Sequence, residues 1–509
     1  YGNVTRSQYR YLIEAAVNAN VNFIRVWGGG LIEREDFYEL CDEAGIMVWQ
    51  EFIQSSSGID NKPCEDPGFL ELLKENATAA LRKKRNHVCL SAWSGGNELQ
   101  EDGNIPCSYE NKNISMLKQL VETYDKTRMF YPTSASGPCE FISDQKGISQ
   151  DVHGGWQYNG NPAHYTAYQN ADYLFHSEFG ADAAISYKSM KKFLDRKDHY
   201  PTPMSGNKIW SHHGAWWGTY FRDVEIFGEL TDIEEFIKCS QYMQVESLRF
   251  VIEADRRRAF QSSGCIVWQM NEPWPNASCT NLIDYYGETK AVYYWLKRAY
   301  EPLHISMVYD NLEVETGSER ALPVYIHNSG EEIHVCVTAK VCRLDGECIY
   351  TERLEGTAKA GQAFCIGTIF GRWEDMETYY ITLSVEDHPD IYNVYILGNK
   401  KNANVLQGIR HLDHQVETEV LETVEDADGV IQKTVRIMNK GSEAAIHIGI
   451  ELERDDYCIL ADDNYLCLLP GEEKVVHIRA IPRHSGSFLS EYNYRPDNRQ
   501  ELNFRTTCL

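Results

Sequence analysis

Over residues 1 to 300 the chain alternates helical and strand-like patterns, and its strands are apolar on both faces. That combination leaves few folds open. "SQYRYLIEAAVNAN" has helical periodicity and runs into the strand-like "VNFIRVW"; "EREDFYELCDEAG" closes on Gly45 before "IMVWQEF". "GFLELLKENATAALRKKR" leads to "HVCLSAW", and "YENKNISMLKQLVETYD" to "RMFYPTS". "GISQDVHGGW" and "ADYLFHSEFG" follow, and a long helical stretch, "DIEEFIKCSQYMQVESLRFVIEADRRRAF", ends in "GCIVWQMNEPW". Strands without a polar face must be covered on both sides, which alternating helices of a parallel α/β fold provide. The count is seven strands and at least six helices. A (β/α)8 TIM barrel takes eight of each in roughly 250 residues. Because the chain opens on a helix, the first barrel strand is expected upstream of Tyr1.

After "YEPLHISMVYD" the texture changes to alternating strands separated by turns. "ALPVYIHNSGEEIHVCVTAKVCRLDGECIY" and "KTVRIMNKGSEAAIHIGIELERDD" each carry an N-x-G turn between alternating apolar runs. Such patterning predicts β-sandwiches. The expected division is a catalytic barrel over 1–300 and immunoglobulin-like β-sandwiches over 301–400 and 401–509. "LLPGEEKVVHIRAI" reads as a turn followed by an edge-like strand.

A net charge of −26 argues against a nucleic-acid backbone or an anionic membrane as partner. No apolar run is long enough to span a membrane. Fifteen cysteines cannot all pair internally, and no C-x-x-C spacing suggests zinc or redox work. Cys336, Cys342 and Cys348 recur every six residues, read here as lacking histidine partners. Free thiols in a reducing compartment follow, so the expected location is cytoplasmic. No cofactor and no metal are expected, and homo-oligomerisation stays open.

In a βα barrel, catalytic side chains sit at the C-terminal ends of the strands. Here those ends offer Arg25 and Trp27; Trp49, Gln50 and Glu51; Asn97 and Glu98; Asp151, His153 and Trp156; His176 and Glu178; and Trp268, Asn271 and Glu272. That is a ring of carboxylates, amides and indoles. Glycoside hydrolysis needs two carboxyl groups across a sugar ring, one protonated to release the leaving group and one ionised. Indole faces suit the C–H face of a pyranose, and amides and arginine suit its hydroxyls. Glu51 and Glu272 read as structural rim carboxylates paired to Arg25 or a neighbour, and Trp49 as core. His153 reads equally as a hydroxyl ligand or a satisfied barrel histidine. The His212–His213 pair in "WSHHGAWWG" reads as a rim loop rather than a chelate.

"NFIRVWGGGLIEREDFYELCDEAGIMVWQEF", "WSGGNE", "FHSEFG" and "GCIVWQMNEPWPNASCTNLIDYYGETKAVYYWLKRAYEP" resemble the catalytic barrel of glycoside hydrolase family 2, β-mannosidase-like branch. The resemblance implies a retaining exo-β-glycosidase acting on a β-linked oligosaccharide or glycoside. It implies Glu98 as acid/base, Glu178 as nucleophile and Asn97 as ligand of the sugar 2-hydroxyl. Arg25, Trp27 and Trp268 match sugar-site positions, and His153 and Trp156 are candidate substrate contacts. If the mechanism is retaining, the carboxyl groups should stand about 5–5.5 Å apart. The "DVHGGWQYNG" loop departs from typical mannosidases, so β-galactosidase, β-glucuronidase or exo-β-glucosaminidase activity stays open. So does a non-catalytic carbohydrate-binding barrel.

Overall fold

A computed structural model describes residues 4–214, 218–483 and 502–509. Strands β1 (Phe23–Val26), β2 (Met47–Glu51), β3 (Leu90–Ser94) and β4 (Met129–Tyr131) form one parallel sheet in that order. β5 (Asp151–His153) and β6 (Phe175–Phe179) begin a second. β7 (Ala183–Ala184) leaves it, β8 (Cys265–Val267) completes it in parallel, and β9 (Ser278–Cys279) pairs antiparallel with β7. Among the described residues the parallel strands of these two arcs thus number seven, four in one and three in the other.

Helix α1 (Arg6–Asn18) precedes β1, and α2 (Glu35–Ala44), α3 (Pro67–Lys84) and α4 (Lys112–Tyr124) follow the first three strands in turn. α5 (Ala163–Gln169) joins β5 to β6. The short α6 (Tyr187–Met190), α7 (Lys208–His212) and α8 (Tyr220–Phe227) lead to the long α9 (Ile233–Arg257), and α10 (Ala291–Ala299) follows β9. Local sequence sets these ends. Thr5 and Gln8 close a reciprocal capping box on α1. Asp66 caps α3, with Pro67 in the first turn. Gly45 ends α2 in the left-handed conformation, φ 70°.

The arcs meet on one side through isolated bridges, Gly137 to Asp151 and Phe141 to His153. On the other side β1 and β8 flank a cavity of about 1810 Å³, lined by Phe23, Ile24, Cys265 and Val267 among others. Among the described residues no strand joins β8 to β1, so the barrel is open along that seam.

The β-rich remainder forms layered sheets. β10 (Leu303–Met307), β11 (Glu313–Val314), β12 (Glu319–Asn328), β13 (Ile333–Cys342), β14 (Cys348–Ala358), β15 (Gln362–Arg372), β16 (Thr378–Val385) and β17 (His388–Asn399) make a three-stranded sheet, β10-β12-β15, and a five-stranded one, β11-β17-β16-β13-β14. β18 (Val416–Glu425), β19 (Ile431–Asn439), β20 (Ala445–Leu452), β21 (Tyr457–Ala461), β22 (Leu466–Leu468), β23 (Glu473–Pro482) and β24 (Phe504–Thr507) make the sheets β18-β19-β23-β21 and β22-β20-β24.

The two N-x-G turns use one device. Asn328 accepts from the Gly330 amide at 2.9 Å and donates to the carbonyls of Glu331 and Ala358. Asn439 accepts from the Gly441 amide at 3.0 Å and donates to the carbonyls of Glu443 and Leu468.

Two expectations are corrected here. The "LLPGEEKVVHIRAI" strand, β23, is not an edge: it lies between β19 and β21. Its alternating burial comes from one solvent-facing side, a pattern that interior and edge strands share. Cys336 does have a histidine nearby, because His334 sits two residues earlier on β13 and shares its face. All fifteen cysteines are free, as the free-thiol reading expects.

α9 is the spine of the molecule. It is buried along most of its length and shares one apolar core with the second arc and the β-rich part. On this helix the fully buried Glu253 binds His304 at 3.0 Å and accepts from Asn393 at 2.7 Å and Tyr395 at 2.9 Å. Glu253→Ala would strand those partners in the core. It should cost about 3 kcal/mol and lower the thermal midpoint, read by calorimetry against wild type.

Candidate active site

The site forms where the two arcs converge. On β3 the apolar run ends in Gly95 and Gly96. A Cβ on Gly95 would lie 2.2 Å from the Pro132 carbonyl oxygen, and one on Gly96 would lie 2.4 Å from that of Gln54. Only glycine lets the three backbones close up there. Bridges from Asn97 to Ser55 and to Ser134 then carry the ladder one step past the strand. Glu98 follows with φ 50°, a left-handed conformation that non-glycine residues rarely take and that clusters at functional sites. Its amide donates to the Ser134 carbonyl at 2.6 Å.

On β6 the pairing slips at Ser177: Val152 faces His176, but His153 faces Glu178. The extra residue re-aims the strand. Ser177 and Glu178 turn into the barrel, where the Ser177 and Ser134 hydroxyl oxygens lie 3.4 Å apart. His176 points outward, bound to the Gly154 carbonyl at 2.6 Å and lying 3.5 Å from Asp255. His176 is therefore packing, though strand-end reasoning grouped it with Glu178.

Arg25, buried on β1, joins these pieces. Its Nε donates to Glu51 at 3.0 Å, its Nη1 to Glu178 at 2.6 Å, and its Nη2 to the Asn97 amide oxygen. Burial works to lower the Arg25 pKa, but Glu51 and Glu178 outweigh it and hold it above the ordinary guanidinium value. Glu51 also accepts from the Gly28 amide at 2.7 Å and is fully buried, which pushes its pKa up against the pull of Arg25. The pairing with Arg25 is the structural part expected for Glu51. Glu272 is elsewhere: it accepts from Asn276 at 2.8 Å and from the Tyr285 amide at 3.1 Å, and burial pushes it up to about 7.

The two candidate catalytic carboxyl groups differ in their partners. Glu178 has Arg25 on one oxygen and the Trp156 indole N–H on the other, at 2.8 Å. Glu98 has the Ser56 hydroxyl at 2.8 Å and His153 Nδ1 at 3.1 Å. His153 Nε2 meets the Ser134 hydroxyl at 2.8 Å. Those partners assign Nδ1–H as donor to Glu98 and Nε2 as acceptor from Ser134. A donor oxygen of Glu98, one of Glu178 and a His153 nitrogen all lie within 4.8 Å of one another. That composition could also suit a metal ion, but the Arg25 guanidinium already places positive charge on Glu178.

Trp27 and Trp268 meet edge to face, centroids 5.2 Å apart, and both line the seam cavity with Arg25 and Glu178. Trp156 packs edge-on against Phe141 at 6.1 Å. Trp49 is core, 2% exposed. His213 stacks on Trp274 and binds the Pro275 carbonyl at 2.6 Å; Trp216 and Trp217 of "WSHHGAWWG" lie outside the described residues.

Strand-end reasoning missed Ser56, Ser134 and Glu140. Ser56 and Ser134 sit just beyond strand ends, in stretches without periodicity. Glu140 is buried beside the Gln100 side chain, and burial pushes it up to about 7. Its neighbour Phe141 bridges to His153.

Burial lowers His153 from the ordinary 6.5 to about 4. As pH falls, the unfolded chain therefore takes up this proton first. The stabilisation is complete above about pH 6.5 and is lost as pH drops toward 4, a span of about 3 kcal/mol. His153→Asn cannot charge, so its thermal midpoint should vary less with pH across that window than that of wild type.

Residues 22–216 match the family described as Glycosyl hydrolases family 2, TIM barrel domain. Beta-mannosidase B of Aspergillus fumigatus is 28% identical over 329 residues, 60% of this chain and 38% of that protein. Beta-mannosidase B of Aspergillus niger is 29% identical over the same shares. The chain thus spans 38% of the length of the curated relatives it matches. Beta-D-mannosidase from Dictyoglomus thermophilum superposes with a TM-score of 0.75 at 23% identity, covering 99% of this chain and 58% of that one. The exo-chitosanase CsxA of Amycolatopsis orientalis gives 0.76 at 18% identity, covering 99% and 61%. At those identities the structural likeness establishes the fold. Over residues 22–216 the chain is thus similar to the TIM barrel domain of glycoside hydrolase family 2, and the relatives it resembles are beta-mannosidases.

Proposed function

We propose that the protein is a retaining exo-β-glycosidase that removes terminal β-mannosyl groups from β-linked oligosaccharides or glycosides. The observation that carries this reading is the pairing of Glu98 and Glu178, with carboxylate oxygens within 4.8 Å in unlike surroundings. Retaining hydrolysis uses carboxyl groups about 5–5.5 Å apart, whereas inverting enzymes need roughly 6.5–9.5 Å to admit a water. The sugar assignment is supported by the similarity to the Aspergillus proteins named beta-mannosidase B.

The unlike surroundings fit unlike roles. Arg25 and the Trp156 N–H fix both oxygens of Glu178, which suits an ionised nucleophile aimed at the anomeric carbon. Among the described residues Glu98 takes uncharged donors, Ser56 and a neutral His153, which suits a group that gives up a proton and later takes one back. Glu178 attacks C1 while Glu98 protonates the departing oxygen; Glu98 then deprotonates the water that releases the sugar. Arg25 and Ser55 hold Asn97, which keeps an amide hydrogen for the sugar 2-hydroxyl. Trp27, Trp268 and Trp156 wall the pyranose. No cofactor takes part. For the fold, the reading is a (β/α)8 barrel over 1–300 whose remaining strand fills the seam, followed by immunoglobulin-like sandwiches over 301–400 and 401–509.

The test is a panel of p-nitrophenyl β-glycosides with the full-length protein. Release from the β-mannoside is expected, falling to background in Glu178→Gln. Glu98→Gln should slow a substrate with a poor leaving group by about 10²–10⁴-fold, and p-nitrophenolate release less, because that aglycone departs without a proton. Azide should rescue Glu98→Ala as a β-glycosyl azide and Glu178→Ala as the α anomer. Preference for another β-glycoside would overturn the sugar and leave the roles. Full activity in Glu178→Gln would overturn the roles as well.

A further inference from the structure

On the outer face of the five-stranded sheet, β13 and β14 bring together three metal-binding donor types. His334 and Cys336 alternate outward on β13, and Glu355 faces Cys336 across the pair. His334 Nε2 and Glu355 Oε1 are 3.2 Å apart, and the donor atoms of all three residues lie within 4.8 Å of one another. We propose that His334, Cys336 and Glu355 form a surface site for a thiophilic divalent cation, of which Zn²⁺ is the representative.

The donor set selects the class of ion. Thiolate, imidazole and carboxylate together suit zinc and its neighbours and disfavour magnesium and calcium, which take oxygen ligands. A tetrahedral ion with ligands at about 2.0–2.3 Å places its donor atoms ~3.3–3.7 Å apart. The His334–Glu355 pair, at 3.2 Å, is close to that spacing, and the Cys336 sulfur lies within 4.8 Å of both donor atoms. Solvent supplies the fourth position.

Outer partners hold two of the ligands in the required sense. His334 Nδ1 meets the Thr357 hydroxyl at 3.4 Å, which leaves Nε2 facing the site. The Arg353 guanidinium holds Glu355 Oε2 at 2.8 Å, which leaves Oε1 facing the site, and Arg353 is itself anchored to Glu386 at 2.9 Å. Such partners orient ligands in known metal sites, and losing them weakens binding. β14 is the edge of its sheet, so a bound ion would tie that edge to its neighbour.

The test uses the whole reduced chain, stripped with chelator and titrated with Co²⁺. A near-ultraviolet thiolate-to-cobalt charge-transfer band should saturate at one ion per chain, and Zn²⁺ should displace it. Cys336→Ser should abolish the band. His334→Gln and Glu355→Gln, exposed substitutions that leave the sheet intact, should each weaken Zn²⁺ binding at least about tenfold. Cys64→Ser, at an exposed cysteine elsewhere, should change nothing. A band that survives Cys336→Ser, unchanged Zn²⁺ affinity in His334→Gln, or no thiolate band in wild type would each overturn the proposal. Should Cys336→Ser fail to fold, His334→Gln alone decides.

Discussion

The geometry of the candidate site hangs on one guanidinium. Arg25 projects from β1 and bonds to groups carried by β2, the end of β3, and β6, so one side chain fixes three separate strand ends. Two unit charges 4 Å apart attract by about 4 kcal/mol at an effective dielectric of 20, but stripping water from all three charged groups opposes that gain. The network is therefore better understood as a positioning device than as a source of net stability. Planar geometry matters here: each of three guanidinium nitrogens has its own acceptor, which an ammonium on a flexible stem could not match.

The contrast between the two carboxyl groups follows from that arrangement. Arg25 reaches Glu178 because the irregularity at Ser177 turns Glu178 inward and leaves His176 outside. Among the described residues the Glu98 carboxyl group bonds to the Ser56 hydroxyl and to His153 and to no Lys or Arg. Its nearest titratable neighbour is His153, whose burial keeps it neutral down to about pH 4. A permanent positive charge at 3.1 Å would favour the charged form of any carboxyl group. A neutral imidazole instead orients the group without adding a charge beside it. Two acidic side chains of the same type thus acquire different chemistry from their neighbours alone.

Much of this was legible in the sequence, because both-faces-apolar strands and alternating helices admit few architectures. The rule that strand ends carry chemistry gathers Arg25, Asn97, Glu98, His153 and Glu178, and the structure brings those residues together. It fails where pairing rather than pattern decides. A one-residue slip on β6 separates His176 from Glu178, and no periodicity marks it. Ser56, Ser134 and Glu140 enter through backbone beyond the strands, where sequence has no repeating geometry to read. β23 has the burial alternation of an edge strand yet lies inside its sheet, since alternation reports a solvent face and not a neighbour. The six-residue spacing of Cys336, Cys342 and Cys348 does not point to His334, because the relevant repeat is the two-residue period of a single strand.

The seam bears on the site through the same strand that carries Arg25. β1 pairs with β2 on one side and borders the cavity on the other. Its outer edge presents backbone groups without a strand partner among the described residues, and buried backbone groups in native proteins are nearly always paired. The cavity, at about 1810 Å³, exceeds the roughly 300–1,000 Å³ of ordinary ligand pockets, and its lining includes Arg25 and Glu178 but not Glu98. Its size and its flanking strands match a gap in the barrel wall better than a sugar pocket. A parallel strand laid between β8 and β1 would satisfy both edges and exclude water from behind Arg25. The lower local dielectric would then strengthen the hold of Arg25 on Glu178. Closure of the barrel and the electrostatics of the nucleophile are in this way one physical problem.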